Sequence, residues 1–344
     1  MVHDRTYGRL AVRIAVSIAM LAVLVWRVPD FSLHELLPKP HLANFAWLVG
    51  SALTLAVAFT LQTLRWRMVL GPMGHPVPFR RLLSLFLAGQ FVSNVLPTAF
   101  GGDVVRIARL GRDLDDRAVA FASIALERLT GWVVLPVISL VTLAAVPSFR
   151  ELGNATAVAV AVNAVTLTAL VGLLTAASLP RFTDAARVAT GWRRWLGSVH
   201  LGIDAIRRHP GSIGSVLGAG TAFQITQCLA IWMAARALEI PEVTLLACFA
   251  FFPPTAISQN LPVGFGGLGV REGGFVLFFG ALGAADERAI ALGLLTYLVT
   301  VAVSALGAPA FALGRRRVDG TAADEGTAGV GSPGDELAGP PSQP

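Results

Sequence analysis

Long apolar stretches separated by short, arginine-bearing segments dominate the hydrophobic pattern of this chain. A helix needs about 20 apolar residues to cross a hydrocarbon core. Runs of that kind lie at about residues 42–64, 118–146, 155–179, 213–238 and 289–313. A shorter run at 14–26 follows three arginines and lacks the small-residue cleavage site of a signal peptide, so we expect it to stay as a helix. The pattern predicts about six full transmembrane helices.

Two further apolar runs are too short to cross, and each ends in the same motif. Residues 93–106 and 258–271 share eight of fourteen positions at an offset of 165, as S-x-x-L-P-x-x-F-G-G-x-x-V-R. Pro97 and Pro262 predict helix breaks, because proline lacks a backbone N–H and clashes with the preceding turn. The run at 82–96 would span only about 22 Å as a helix, against a core of about 30 Å. We therefore expect two re-entrant broken-helix hairpins.

The distribution of arginine predicts the orientation. Placing the basic segments in the cytoplasm gives a consistent topology with both termini inside and the protein in the plasma (inner) membrane. Three full spans separate the two copies of the motif, so one hairpin enters from the cytoplasm and the other from outside. The predicted fold is an all-α polytopic membrane protein with an inverted repeat. Matching interrupted segments in two halves indicate a substrate site near the membrane midplane.

Composition sets the remaining boundaries. Residues 1–9 are expected to form a cytoplasmic arm, and 10–314 the membrane domain, with repeat cores at 82–117 and 245–283. At about 184–208, apolar residues recur at intervals of three and four opposite arginines, which predicts an amphipathic helix on the membrane surface. These apolar residues are Val188, Trp192, Trp195, Val199, Ile203 and Ile206. Residues 315–344 are rich in Gly, Ala, Pro and acids, which predicts a disordered cytoplasmic tail.

The overall amino-acid balance argues against several classes of function. With 54% hydrophobic and 14% charged residues, the chain is too apolar for a soluble domain. Its net charge of +6 comes from arginines beside apolar runs, not from a basic face with interleaved aromatics, so no nucleic-acid partner is expected. Six scattered histidines and two cysteines offer no metal or nucleophile set. We expect no enzyme activity, no metal and no cofactor.

The repeated motif also carries candidate chemistry. After each break, the first turn of the new helix has free N–H groups and a positive dipole end, which suit a phosphate. Paired glycines would let a headgroup approach the backbone, and an arginine one turn later would add a bidentate donor. The candidate phosphate-binding residues are Gly101, Gly102, Arg106, Gly266, Gly267 and Arg271. The alternative is that the glycines only allow close helix packing and the arginines pair internally.

Charged residues within or beside apolar runs form a second candidate set. They are Asp103, Glu127, Arg128 and Glu272, beside the two motif arginines. Charges at such positions are costly and mark functional sites by default. Three acids and three arginines could form a closed structural network, or the acids could receive a headgroup amine or a coupling proton. For Asp103, the start of a helix offers a simpler role as N-cap.

These motifs together resemble the lysylphosphatidylglycerol synthase transmembrane, or flippase-like, family. The resemblance rests on G-G-D-x-x-R after L-P-T-x-F, the Glu127–Arg128 pair, and P-x-G-F-G-G-L-G-V-R-E-G near the C-terminus, and it covers most of residues 10–313. The family implies lipid translocation. Two departures stand out. No synthase domain follows residue 317, so we expect aminoacyl transfer to lie outside this chain, and Gly131 stands where relatives often have an acid.

The expected function is therefore movement of a phosphate-bearing lipid, phosphatidylglycerol-derived or polyprenyl-linked, between leaflets. No nucleotide-binding loop is present, so transport would be passive, ion-coupled or driven by lipid consumption. The alternative is a non-transporting scaffold or accessory subunit for a lipid or glycan synthase. The expected partners are a phospholipid or glycolipid substrate, the bilayer, and a synthase or glycosyltransferase.

Overall fold

A computed structural model of the protein describes residues 38, 40–95, 101–179, 191–260 and 267–311. The regular structure in these ranges is helical, with no β-strand. The helices are α1 Leu42–Leu70, α2 Phe79–Val95, α3 Gly101–Asp113, α4 Arg117–Ala145, α5 Asn154–Ala177, α6 Gly191–Arg208, α7 Gly211–Ala237, α8 Leu245–Gln259, α9 Val270–Gly280 and α10 Asp286–Ser304.

Five of these helices are long and apolar enough to cross a membrane: α1, α4, α5, α7, and α10 with its continuation to Phe311. They match five of the six predicted full spans and confirm an all-α polytopic membrane protein. The predicted helix at 14–26 lies outside the described residues. The same holds for Pro97, Pro262, Gly266 and the C-terminal tail.

Helix α1 ends later than the sequence predicts. The apolar run at about 42–64 predicts a helix that ends near residue 64; this is wrong, because α1 continues to Leu70. Arg65 and Trp66 are buried, and Arg67 is exposed. Arg65 can be buried within α1 because its guanidinium pairs with an acid on another helix, as described below.

Helices α1 and α7 pack antiparallel against each other. Ser51 Oγ donates to the carbonyl of Ala230 at 2.7 Å, and Asn44 Nδ2 donates to Glu239 Oε1 at 2.9 Å. At the other end of α1, the Arg65 guanidinium lies 5.6 Å from the centre of the Phe223 ring. Residue numbers therefore fall along α7 as they rise along α1.

This antiparallel pair relates the two copies of the motif. Adding the offset of 165 to the bounds of α1, 42 and 70, gives 207–235, which overlaps α7 at Gly211–Ala237. The same shift places α2, α3 and α4 over α8, α9 and α10. Since the equivalent helices α1 and α7 run in opposite directions, the repeat is inverted, as predicted.

Each copy contains a helical hairpin. In the first, Gly89 on α2 faces Gly102 on α3, and at the far end Arg81 Nε donates to Asp113 Oδ2 at 2.7 Å. In the second, Thr255 on α8 faces Gly274 on α9. Both pairs of helices are antiparallel. Entry and exit on the same side of the bilayer stay a prediction.

The predicted amphipathic segment forms helix α6, Gly191–Arg208. Val199 is fully buried, where it packs with Leu129 of α4 and Leu170 of α5, and Ile203 packs beside them. Residue 188 and the side chains of Trp192, Trp195 and Ile206 lie outside the described part of the structure. Contact of this helix with the membrane surface stays a prediction.

Candidate functional site

A cavity of about 260 Å³ lies where the two hairpins meet α1, α7 and α10. Both copies contribute to its wall close to their breaks: Gln90, Ser93 and Asn94 come from the first, and Gln259, Asn260 and Gly267 from the second. Gln227 of α7 adds a fifth amide side chain. The two copies thus come together around one polar cavity inside an apolar helix bundle.

Arg271 presents a cationic group to this cavity. Its Nη2 and Nε donate to Glu272 Oε1 at 2.7 and 3.2 Å, and its guanidinium lies 5.1 Å from the centre of the Tyr297 ring. Glu272 Oε2 accepts from the backbone N–H of Gly269 at 2.6 Å, which caps the start of α9. The acid therefore fixes both the helix end and the arginine.

Arg106, the equivalent of Arg271 in the first copy, is absent from the cavity wall. It is buried, with its guanidinium 4.1 Å from the centre of the Trp66 ring. Its Nη2 donates to Glu127, and its Nη1 lies 3.4 Å from Asp103 Oδ1. The predicted phosphate donor of the first copy is thus enclosed in an internal ion-pair network.

Arg128 takes the place of Arg106 on the cavity wall. Its Nε donates to Asp103 Oδ2, and about one third of its side chain is exposed. Asp103 lies in the first turn of α3 and pairs with both Arg106 and Arg128, so its carboxylate joins two helices. These contacts assign Asp103 an ion-pair role in place of the N-cap role considered from the sequence.

Glu127 lies at the centre of the network. It pairs with Arg106, accepts from Gln62, and lies 3.4 Å from Nη2 of Arg65. Its side chain is 1% exposed, and Arg65 is buried to a similar degree. Two cations and one amide donor compensate a carboxylate that would otherwise be very costly to bury.

Sequence reasoning missed Arg65, and two glycines explain how it fits. A Cβ atom at Gly131 or at Gly220 would lie 3.1 Å from Nη1 of Arg65. Because Gly131 and Gly220 carry no side chain, the space beside them holds the guanidinium of Arg65. The glycines within two spans were the available signal, because a small residue in a transmembrane helix often marks a place where another helix approaches closely.

The predicted glycines have different surroundings. A Cβ at Gly102 would lie 2.2 Å from both the carbonyl oxygen of Gly89 and the hydroxyl of Ser93, so this glycine permits contact between α2 and α3. Gly101 begins α3. Gly267 has a φ of +77° and lines the cavity, whereas Gly266 lies outside the described residues.

The repeat offset would have revealed a further pair. Gln62 and Gln227 are also 165 residues apart, on α1 and α7. Gln62 binds Glu127, and Gln227 lines the cavity. The same shift places Leu292 and Gly293 opposite Glu127 and Arg128, and a Cβ at Gly293 would lie 2.9 Å from Cγ of Glu272. In the first copy the motif arginine pairs with Glu127 of the following span, whereas in the second copy it pairs with Glu272 of the hairpin itself.

Comparison with models of known families matches residues 10–307 to the family described as the lysylphosphatidylglycerol synthase TM region. This range includes both hairpins and all residues that line the cavity. The chain has no match among the curated proteins compared with it.

Proposed function

Because the chain belongs to the family of the lysylphosphatidylglycerol synthase TM region, we propose that it moves a phosphate-bearing lipid between the leaflets of the membrane. The observation that carries the proposal is the polar cavity with two arginines between inverted hairpins. Charged groups at such depth are costly and are retained for substrate or ion pathways. Inverted repeats that meet at one site are the architecture by which transporters expose a site to either side in turn.

The cavity offers a lipid headgroup hydrogen-bonding and charged partners in place of the water that it leaves. Arg128 and Arg271 supply planar N–H donors suited to phosphate oxygens. Five amide side chains and the hydroxyl of Ser93 supply donors and acceptors. The hydroxyls of Ser51, Thr296 and Thr300 donate to backbone carbonyls and supply acceptors. A headgroup could therefore cross the apolar interior while staying hydrogen-bonded, with its acyl chains in the bilayer.

A leaflet assay on purified protein in liposomes tests the proposal. Fluorescent phosphatidylglycerol, an aminoacylated phosphatidylglycerol and a polyprenyl phosphate are followed in parallel, by the loss of outer-leaflet fluorescence on adding a membrane-impermeant quencher. We expect the protein to accelerate movement of at least one lipid. The variant Arg128→Gln should reduce that rate at least about tenfold, because it removes a charged phosphate donor from the cavity wall. The fold should be retained, because Asp103 keeps Arg106 as its partner.

Arg67→Gln is the matched control, since Arg67 is exposed near the end of α1 and is not among the described residues that line the cavity. Its rate should equal that of the wild type. If folded wild-type protein moves none of the three lipids, the proposal fails, and the role of scaffold for a lipid or glycan synthase replaces it.

A further inference from the structure

We propose that the cavity selects a lipid whose headgroup is a hydroxyl-rich monoanion, and that it discriminates against a headgroup carrying added amines. The inference rests on the proposed function, because it names the substrate class of the same cavity. It goes against the most direct expectation from the name of the family, which would be an aminoacylated lipid.

The charged side chains on the cavity wall are of one sign. Arg128 and Arg271 line it, and no acid does so among its described lining residues. The nearest acids, Asp103 and Glu272, each lie behind the arginine they pair with; their side chains are 11% and 0% exposed. Residues 96–100 and 261–266, next to the wall in sequence, contain no charged residue. A headgroup ammonium would thus meet cations and find no carboxylate.

The total charge of the ion pairs on and behind the cavity wall points the same way. Among the described residues, one network joins Arg65, Arg106 and Arg128 with Asp103 and Glu127, and a separate pair joins Arg271 with Glu272. Four positive and three negative groups leave a charge of +1. One phosphodiester anion neutralises this charge. A lysyl-phosphatidylglycerol headgroup has two ammonium groups and one phosphate, so it would raise the total to +2, and unbalanced charge in an apolar interior is strongly disfavoured.

The neutral part of the wall indicates hydroxyl groups. Asn94 lines the cavity, and its Nδ2 is a buried donor without a hydrogen-bond partner among the described residues. Gln90, Gln227, Gln259 and Asn260 surround the same space. Sites built from amides discriminate strongly against an analogue that lacks the matching hydroxyl, because their polar groups are then left unpaired. A glycerol or sugar headgroup would satisfy them.

The size of the cavity fits a single headgroup. Pockets for drug-sized ligands have about 300–1,000 Å³, and this one, at about 260 Å³, lies just below that range. A phosphoglycerol group is smaller than most such ligands, whereas an added lysyl group would have to place its long side chain in the same space. Charge, hydrogen bonding and volume therefore favour the same class of lipid.

Three lipids with identical acyl chains and label separate these contributions. Phosphatidylglycerol is a monoanion with hydroxyls, phosphatidylmethanol is a monoanion without them, and lysyl-phosphatidylglycerol carries hydroxyl and amine groups with a net charge of +1. We expect the liposome rate to be highest for phosphatidylglycerol, several-fold lower for phosphatidylmethanol, and at least about tenfold lower for lysyl-phosphatidylglycerol. Equal or faster movement of the lysyl lipid would overturn the inference.

Binding of short-chain forms of the same lipids to the detergent-solubilised protein is measured in parallel. Selective binding of phosphatidylglycerol without movement of any lipid would contradict the proposed function and support the inference. Unselective binding, or preferred binding of the lysyl lipid, would contradict the inference whatever the result of transport. The two failures are thus distinguishable.

The variant Asn94→Asp adds an acid to the cavity wall with almost no change of shape. We expect it to reduce the preference for phosphatidylglycerol over the lysyl lipid at least about tenfold, because a carboxylate now faces the ammonium groups. Asn154→Asp, at the exposed start of α5, is the matched control and should leave the preference unchanged. If Asn94→Asp fails to fold, Gln259→Glu places an acid on the opposite hairpin. Unchanged preference in a folded acid variant would contradict the inference.

Discussion

Glu127 is the residue on which the buried charges of the first copy converge. It pairs with Arg65 and Arg106 from two other helices and accepts from Gln62. Through Asp103, the same network reaches Arg128 on the cavity wall. A change at Glu127 therefore acts on the stability of the bundle and on the position of a cavity residue at the same time.

The variant Glu127→Gln should strongly destabilise the protein. It leaves Arg65 buried without a carboxylate partner, and removing one member of a buried ion pair costs about 3–5 kcal/mol. We expect a lower Tm and less monodisperse protein on size-exclusion chromatography in detergent. Glu151→Gln, at an exposed glutamate, should have little effect.

A second change tests the cause. If the uncompensated charge of Arg65 is responsible, the double variant Glu127→Gln with Arg65→Gln should recover a large part of the Tm lost in Glu127→Gln. A double variant that loses as much as the two single variants together would show that the pair does not interact, contrary to the structure.

Several of these residues were predictable from the sequence, and one important residue was not. Glu127, Arg128 and Asp103 stand out as charges within or beside apolar runs. Arg65 lies next to Trp66 and Arg67 at the end of an apolar run, where an arginine ordinarily marks the membrane boundary. Its burial depends on a partner 62 residues further along the chain and on space left by Gly131 and Gly220. Such long-range compensation leaves no signal in the residues next to Arg65; the mid-span glycines were the signal available elsewhere in the chain.

At the scale of the elements, the two hairpins share a motif but use it differently. In the first, Gly102 allows α3 to pack directly against α2, and the motif arginine, Arg106, lies in the buried ion-pair network. In the second, Gly267 and Arg271 face the cavity, and Glu272 provides the acid from the hairpin itself. The repeat in the sequence predicted the break and the pairing of helices. It could not predict the asymmetry, which depends on the residues of α4 and α10 packed behind each hairpin.

The close packing of α2 against α3 in the first hairpin can be tested directly at this scale. Gly102→Ala should lower the Tm, because its methyl group would lie 2.2 Å from the carbonyl oxygen of Gly89 and force α2 and α3 apart. Gly273→Ala in α9 is the matched control: a Cβ there meets nothing within 4 Å, and alanine favours the helix. Equal Tm values for the two variants, each measured in the same detergent, would contradict the close packing described for α2 and α3.

At the scale of the whole molecule, the antiparallel pair α1 and α7 places one hairpin from each copy around a common cavity. Hydropathy and the offset of 165 predicted this arrangement, since an odd number of spans between equivalent segments inverts them. The composition of the cavity wall was less accessible. It combines residues of α1, α2, α4, α7, α8, α9 and α10, and only the packed structure shows that Arg128 lines it in place of Arg106.

The central claim is that a lipid headgroup enters this cavity, and headgroup-directed photo-crosslinking tests it most directly. Wild-type protein in liposomes is irradiated with a phosphatidylglycerol that carries a diazirine on its glycerol headgroup, and the modified peptides are identified by mass spectrometry. We predict crosslinks at cavity residues of both hairpins, such as Asn94 and Gln259, and none at Val165, which is exposed near the middle of α5. Crosslinks confined to the ends of the spanning helices would contradict the claim.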